Sequence, residues 1–516
     1  MASASPFDAP GDPRPTALII GAGFGGLAAG IRLGAKGYRV VMVDRLDAPG
    51  GRATARHQNG YRFDLGPTIV TVPHVFEELW RIAGRQIEDD IKIVPMNPFY
   101  EIRFPDGERF RATGSSEEMR AEVARLSPSD LKGYEKFLKD SETRYWFGFE
   151  DLGRRPMNVL WELIKTLPTF ALLRADRSTY RHAAIRMRDE RLRMAFSFHP
   201  LFIGGDPLNV TSMYSLVAHL EKEFGVHYAM GGAGALAEAM AGLVRHLGGK
   251  LHFGVDVEKI TTENRKATGI ELADGTQLKA DIIVSNADAG HTYQHLLAHE
   301  PTKRWNPTRL KKSRWSSGLF VWHFGTEGTR TKWPDIGHHT IINGPRYTGL
   351  LRDIFKRGHL ADDMSIYLHR PSHTDPTSAP EGCDTWYALA PVPHLGHANP
   401  VDWATETPAF LEKMQTALEP HLPGLTAHVT ESHIMTPEDF RTRYRSPHGA
   451  GFSLEPRILQ SAWFRPHNIS EDFANLYLVG AGTHPGAGLP GVVSTAEVLS
   501  QLVPDAPAVD LPMAAQ

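Results

Sequence analysis

Leu18–Arg52 reads LIIGAGFGGLAAGIRLGAKGYRVVMVDRLDAPGGR. The apolar run Ala17–Ile20 predicts a buried strand, Gly21, Gly23 and Gly26 a tight turn, and Leu27–Leu33 an apolar helix whose first amides face an anion. A second strand, RVVMVD, ends on Asp44, eighteen residues after Gly26. A carboxylate at that place accepts hydrogen bonds from a ribose diol and repels a 2′-phosphate, which disfavours NADP. Strand, glycines, helix, strand and acid in this order point to an adenine dinucleotide. Gly50-Gly51-Arg52 adds a second glycine turn for close backbone approach and a guanidinium to neutralise a pyrophosphate. That pairing suits a permanently held FAD better than an exchanging NAD.

Working outward, the chain has 516 residues with 41% hydrophobic content, enough for two or three domains with real cores. Lys+Arg 56 against Asp+Glu 59 leaves a net charge of −3, with no basic field for nucleic acid. Cys383 is the single cysteine, which excludes a disulfide framework, a cysteine-ligated iron–sulfur cluster and a dithiol relay. Electrons therefore pass through an organic cofactor. The start, MASASPFDAPGDPRP, has no apolar core of a secretory signal, so a cytoplasmic location is expected.

No run of eighteen uncharged apolar residues occurs. Met157–Leu173, MNVLWELIKTLPTFALL, comes nearest, interrupted by Glu162, Lys165 and Pro168 and flanked by Arg154, Arg155, Arg174 and Arg177. It reads either as a segment lying in a membrane interface or as two core helices broken at Pro168.

Three separated stretches read as one nucleotide-binding domain: 15–75, 226–290 and 446–505. The second carries a helix over Ala233–Leu247 and strands LHFGVDVEKI, ATGIELADGTQLKA and DIIVSNADA; the third is a strand, two glycine turns and a final helix. Residues 76–130 and 291–445 are expected to form an inserted substrate domain with a mixed sheet, 131–225 a helical region that carries the membrane-interface candidate, and 1–14 and 506–516 disordered ends. The fold class is α/β, with a Rossmann-like FAD-binding domain assembled from discontinuous segments.

His291, His295 and His299 share an i, i+4, i+8 spacing, but Thr292 stands where a zinc peptidase motif needs its glutamate, and no metal is expected. A nucleophilic serine elbow G-x-S-x-G is absent. Asp288, in SNADA, either caps a helix or binds through its carboxylate. Gly480–Thr483 and the helix after Gly491 build a second dipole-bearing N-terminus that suits negative charge on a reduced flavin.

With these residues in view, Gly21–Arg52, FDLGPTIVTVP at Phe63–Pro73 and GAGTHPGAGLPGVVSTA at Gly480–Ala496 resemble the bacterial phytoene desaturases, carotenoid desaturases of the flavin amine-oxidase-like group. RYWFGFEDLGRRPM, FSFHPLFIGGDPLNVTSMY, VSNADAGHTY, HRPSHTDPT and SPHGAGFSLEPRILQSAWFRPHNIS extend the similarity over nearly the whole chain. Asp44 departs from the glutamate common in related flavoproteins, though either carboxylate serves a ribose. The resemblance implies FAD without NAD, a hydrophobic carotenoid substrate, and three or four dehydrogenations of phytoene to neurosporene or lycopene. It also implies peripheral attachment to a membrane surface and reoxidation by quinone or oxygen.

The expected cofactor-binding residues are Gly21, Ala22, Gly23, Gly25, Gly26, Asp44, Arg45, Gly51, Arg52, Gly66, Thr68, Val257, Asp288, Gly482, Thr483, Gly491 and Val492. Glu162, an acid inside an apolar segment, is the candidate base or cation stabiliser. The rival readings are a desaturase of a later carotenoid, a carotenoid isomerase, a flavin amine oxidase or protoporphyrinogen oxidase, and a prenyl-lipid carrier without FAD.

Overall fold

The computed structural model describes Phe7 and residues 12–508, so most of both ends read as disordered lies outside the described residues. Where described, the ends are tied down: Phe7 packs on the His252 ring at 4.4 Å, and the Ala506 amide donates to the Lys36 carbonyl at 2.9 Å.

Strand β1 (Thr16–Ile20), helix α1 (Phe24–Ala35) and strand β2 (Arg39–Asp44) form as the glycine pattern predicts. β1 lies inside a five-stranded parallel sheet, in the order Leu476–Leu478, Ile282–Ser285, β1, β2, Lys250–Phe253. These strands read as unbroken apolar runs because both faces are covered. Ala17, Ile19, Val40 and Met42 face α1 and the helices Gly232–His246 and Leu489–Leu502. Leu18, Ile20, Val43 and Ile283 face the other way, onto a three-stranded antiparallel sheet.

That small sheet corrects the strand boundaries. LHFGVDVEKI is two strands, Lys250–Phe253 and Val257–Glu263, because the amides of Gly254 and Val255 turn back to the carbonyls of Leu46 and Asp44 at 2.8 and 2.9 Å. ATGIELADGTQLKA likewise divides into Lys266–Leu272 and Gln277–Lys279, a hairpin around Gly275 at φ +86°.

A seven-stranded mixed sheet forms the second unit, in the order Val429–Met435, Gly318–Thr326, Asp384–Val392, Ile366–His369, His339–Ile342, Tyr100–Arg103, Arg109–Ala112. Only His339–Ile342 and Tyr100–Arg103 run parallel among its neighbours. In Gly318–Thr326, Phe320, Trp322 and Phe324 pack under the helix Trp403–Leu418, while Leu319 and Val321 point to the opposite face. Strand periodicity of two thus lets one strand supply a core and a cavity wall.

Residues 116–224 are almost wholly helical and close the cavity from above that wall. Helix α2 (Leu160–Leu172) runs unbroken through Pro168, so the break that the core-helix reading placed there does not occur; the proline removes one amide donor without ending the helix. No helix among the described residues is long and apolar enough to cross a membrane.

Candidate active site

Three turns, two of them glycine-bearing, meet at the carboxyl ends of adjacent parallel strands: Gly21–Gly26 after β1, Asn286–Asp288 after Ile282–Ser285, and Gly480–Ala481 after Leu476–Leu478. This is where an open α/β sheet binds ligands. Asn286 sits between the turns, its side-chain amide donating to the Gly21 carbonyl at 3.3 Å. A Cβ on Gly25 would lie 2.6 Å from Asn286 Oδ1, one on Gly480 2.8 Å from the same atom, and one on Gly23 3.0 Å from Nδ2. Contact favours glycine at all three positions, and at Gly480 a φ of +97° requires it as well.

Asp44, 8% exposed, accepts from the Ala22 amide at 2.6 Å and from the Leu46 amide at 2.8 Å. Burial pushes its carboxyl upward, and those two amides oppose the shift. Arg45 donates to the carbonyls of Thr442 and Arg443 at 2.8 and 2.5 Å. Arg52 lies 3.2 Å from Asp288 and also donates to Ser446. Asp288 caps the turn, the first of the two roles its sequence left open: Oδ1 accepts from the Gly290 amide at 3.0 Å and the Ser453 hydroxyl at 3.1 Å, and Oδ2 faces Arg52.

Arg52→Ala tests the expectation that this guanidinium neutralises a pyrophosphate: on that reading the variant loses a charge-assisted contact and leaves Asp288 without its cation, and flavin affinity falls at least about a hundredfold. The purified variant is expected to be colourless; full flavin absorbance in it would refute the role.

Thirteen of the expected cofactor residues line one continuous cavity: Gly21, Gly23, Gly25, Asp44, Arg45, Gly51, Arg52, Gly66, Thr68, Val257, Asp288, Gly491 and Val492. Four do not line it, and the structure places each elsewhere. Ala22 is fully buried with its amide on Asp44. Gly26 faces β1, where a Cβ would lie 2.0 Å from the Gly21 carbonyl. Gly482 packs behind the wall against Ser453 and Ala289, and Thr483, 1% exposed, closes its own turn by donating its amide hydrogen to the Gly480 carbonyl at 3.0 Å. Asn286, Asp256 and the loop Arg443–Arg445 also line the cavity. Of these, Asn286 carried a legible signal, a polar side chain ending a buried strand just before Asp288; the loop joins through tertiary contacts alone.

The cavity, about 720 Å³, runs on from the cofactor cradle into apolar surroundings. Leu319, Val321 and Leu389 of the mixed sheet form one side, and Phe149, Phe202, Met213 and Leu220 another. It opens between α2, which contributes Leu163, Leu167 and Phe170, and the segment bearing Ile458, Leu459 and Phe464. Thr68 joins cradle to sheet, its hydroxyl 3.3 and 3.4 Å from the phenols of Tyr367 and Tyr387.

Glu162 is not brought to this cavity. It lies on the outer side of α2, paired with Lys165 at 2.8 Å and Arg155 at 3.2 Å, and the Lys165 ammonium holds its carboxyl below the usual range. An acid so paired at a surface is no proton acceptor for a buried chain. Arg154 is likewise withdrawn from the flank of α2, held by Glu78, Glu150 and Glu497 at 3.4, 3.1 and 3.0 Å.

Of the three imidazoles at i, i+4, i+8, only His291 and His295 come together, with ring centroids 4.8 Å apart. A regular turn over Ala289–His291 widens to a π-turn over Thr292–Leu296, leaving His291 buried and His295 and His299 exposed. A different trio is gathered by the mixed sheet: His338, His339 and His369, all buried, with ligand-capable nitrogens within 4.8 Å of one another. His338 and His369 hydrogen bond at 3.0 Å, and Tyr367 and Thr374 engage the outer nitrogens of His339 and His338 at 2.6 Å each.

A glycine-lined dinucleotide cradle opening into a long apolar cavity defines a flavin-type oxidoreductase for a lipid-like substrate. Residues 24–503 match the family described as flavin containing amine oxidoreductase. A Cereibacter sphaeroides protein named phytoene desaturase (neurosporene-forming) is 61% identical over 97% of both chains. A Paracoccus protein named phytoene desaturase (lycopene-forming) is 43% identical over 95% of this chain and 97% of its own. An oxidoreductase structure from Methanosarcina mazei matches the fold with TM-score 0.63 at 19% identity, covering 94% of this chain and 100% of that one. The chain belongs to the flavin containing amine oxidoreductases and, within them, to the phytoene desaturases, with FAD as its cofactor. Its glycine contacts fit that group, since the space at Gly23, Gly25 and Gly480 admits backbone only.

Proposed function

We propose that this enzyme dehydrogenates phytoene in successive steps to neurosporene, working from a membrane surface. The observation that carries the reading is the continuity of the FAD cradle with an apolar cavity whose mouth lies beside exposed apolar residues. Neurosporene is favoured over lycopene because the more similar relative bears the neurosporene-forming name.

Bound FAD supplies the hydride acceptor. The protein's part is to align and to dry: a hydrocarbon offers no polar handle, so Leu319, Val321, Leu389 and Phe202 hold it by exclusion of water. Quinone or oxygen serves as the terminal oxidant in this reading. Purified enzyme on phytoene-bearing liposomes is expected to yield neurosporene by absorbance and chromatography, with flavin retained; a flavin-free protein that only binds the hydrocarbon would refute it in favour of a carrier.

Val159, Leu160, Trp161, Ile164, Leu167 and Leu172 are 42–81% exposed along α2 and its entry, and Leu459, 67% exposed, stands across the mouth. Exposed cations Lys165 and Arg174 border that face, at 52% and 51%. Such a face suits an acyl boundary rimmed by anionic headgroups, and the enzyme is read as peripheral on the cytoplasmic side. Burying two such side chains is worth about 3–6 kcal/mol, so Trp161→Glu with Leu167→Glu is expected to reduce flotation with anionic vesicles at least about a hundredfold. Undiminished flotation would refute this attachment.

A further inference from the structure

Four carboxylates line the cavity: Asp44, Asp256, Asp288 and Glu221. Three are committed. Asp44 is held by two amides in the dinucleotide half, Asp256 pairs with Arg45 at 3.8 Å and with Arg445, and Asp288 pairs with Arg52. Glu221, on the helix α3 (Val217–Phe224), has no Arg or Lys partner among the described residues. It is the acid of the apolar half.

Its surroundings are built. Oε2 accepts from the Tyr100 hydroxyl at 2.8 Å and lies 3.3 Å from His199 Nε2, and Tyr100 and His199 are themselves 3.3 Å apart. These partners come from separate segments, the first strand of the mixed sheet that the chain enters and the turn His199–Ile203. Both are buried, and burial pushes the Tyr100 phenol far upward, so it stays a neutral donor. Oε1 makes no hydrogen bond among the described residues.

The triad also adjoins the cradle through a line of rings. His199 stacks on Phe198 at 4.4 Å, Phe198 meets Phe202 at 5.2 Å, and Phe202 meets Tyr367 at 5.7 Å. Tyr367 bonds Thr68 in the cradle. An ionisable group in the wall of an otherwise apolar cavity costs desolvation and needs a chemical reason.

We propose that Glu221 is the proton acceptor of the dehydrogenation, with Tyr100 and His199 as its positioning residues. This rests on the desaturase reading above. In each step one carbon gives up its hydrogen with both bonding electrons, as hydride, to FAD. The neighbouring C–H bond then breaks toward Glu221: its electron pair becomes the new C=C bond and the proton goes to Oε1, to be returned to water before the next step. Tyr100 and His199 occupy Oε2 and so fix which oxygen receives it.

The test uses FAD-loaded full-length enzyme on phytoene liposomes. Glu221→Gln keeps size and hydrogen-bonding capacity but cannot accept the proton, so kcat is expected to fall about a hundredfold. Flavin content, KM and phytoene retained per enzyme after washing stay at wild-type levels. Glu223→Gln, an exposed change on the same helix, leaves all of these unchanged. Tyr100→Phe lowers kcat about tenfold at unchanged KM, and formate restores activity to Glu221→Ala. Wild-type kcat in Glu221→Gln overturns the proposal while leaving the desaturase reading standing. A wild-type enzyme that fails to convert phytoene overturns both. If Glu221→Gln loses flavin, Tyr100→Phe and the formate experiment decide: no kcat loss, or no rescue, overturns the assignment.

Discussion

Gly26→Val is expected to yield protein without bound flavin. A Cβ at this position would sit 2.0 Å from the Gly21 carbonyl and 3.2 Å from the Asn286 Cβ, and the first obstacle is backbone that no rotamer change removes. Helix α1 must therefore move off β1 by more than an ångström. Its amino end presents the anion-binding amides, so the displacement acts at the pyrophosphate even though Gly26 itself does not line the cavity. Overpacking of this kind costs about 1–3 kcal/mol before the added γ-carbons are counted, and flavin affinity is expected to fall at least about tenfold. Fluorescence of flavin released on denaturation reads occupancy directly. Wild-type occupancy in Gly26→Val would show that α1 has room the contacts deny.

Arg370→Met is expected to destabilise the mixed sheet by about 3–5 kcal/mol. Arg370 and Asp384 are 3% and 0% exposed in their side chains and meet in a two-pronged pair at 3.1 and 2.9 Å. The same guanidinium donates to the carbonyls of Trp333, Ile336 and Arg330 at 2.9, 3.1 and 2.9 Å and lies over the Trp386 ring at 4.8 Å. Asp384 also accepts from Ser372 at 2.6 Å and Thr329 at 2.9 Å. Removing Arg370 leaves the buried carboxylate with two hydroxyls and the more distant Arg330 guanidinium at 3.6 Å, and it takes a donor away from three carbonyls, of which only that of Trp333 keeps another, the Ile336 amide. Urea unfolding followed by tryptophan fluorescence should show a lowered midpoint, since Trp322, Trp333 and Trp386 surround the pair's sheet. Arg370→Met combined with Asp384→Leu should recover part of the loss, because the uncompensated charge goes with its partner. An unchanged midpoint in the single variant would refute the argument.

Legibility in the sequence followed the locality of the interactions. β1, α1, β2 and the turn after Leu478 could be read because their glycines, apolar runs and terminal acid are neighbours along the chain. Arg52 could be read as cationic, but its partner Asp288 lies 236 positions away, and only folding shows that one aspartate caps a turn and orients the arginine. LHFGVDVEKI looked like one strand because each half is apolar in alternation; the bend came from carbonyls of Leu46 and Asp44, outside the window. Glu162 drew attention as an acid among apolar residues, yet those residues face outward and Lys165, one helical turn on, was available to pair with it. Glu221 had no such setting: in VAHLEKEF it looks like an ordinary surface glutamate, and only Tyr100 and His199 set it apart.

The position of Asn286 has a bearing on biosynthesis. Its pocket is completed by Gly21 to Gly25 at one end of the chain and Gly480 at the other. The neighbouring strand order places Leu476–Leu478 against Ile282–Ser285, so the central sheet acquires its last strand only after almost all of the chain has left the ribosome. Until then Ile282–Ser285 is a bare parallel edge, open to pairing with any other extended segment. A high-contact-order closure of this kind is slow, and the nascent enzyme must pass through a stage that is largely built yet unable to hold its cofactor.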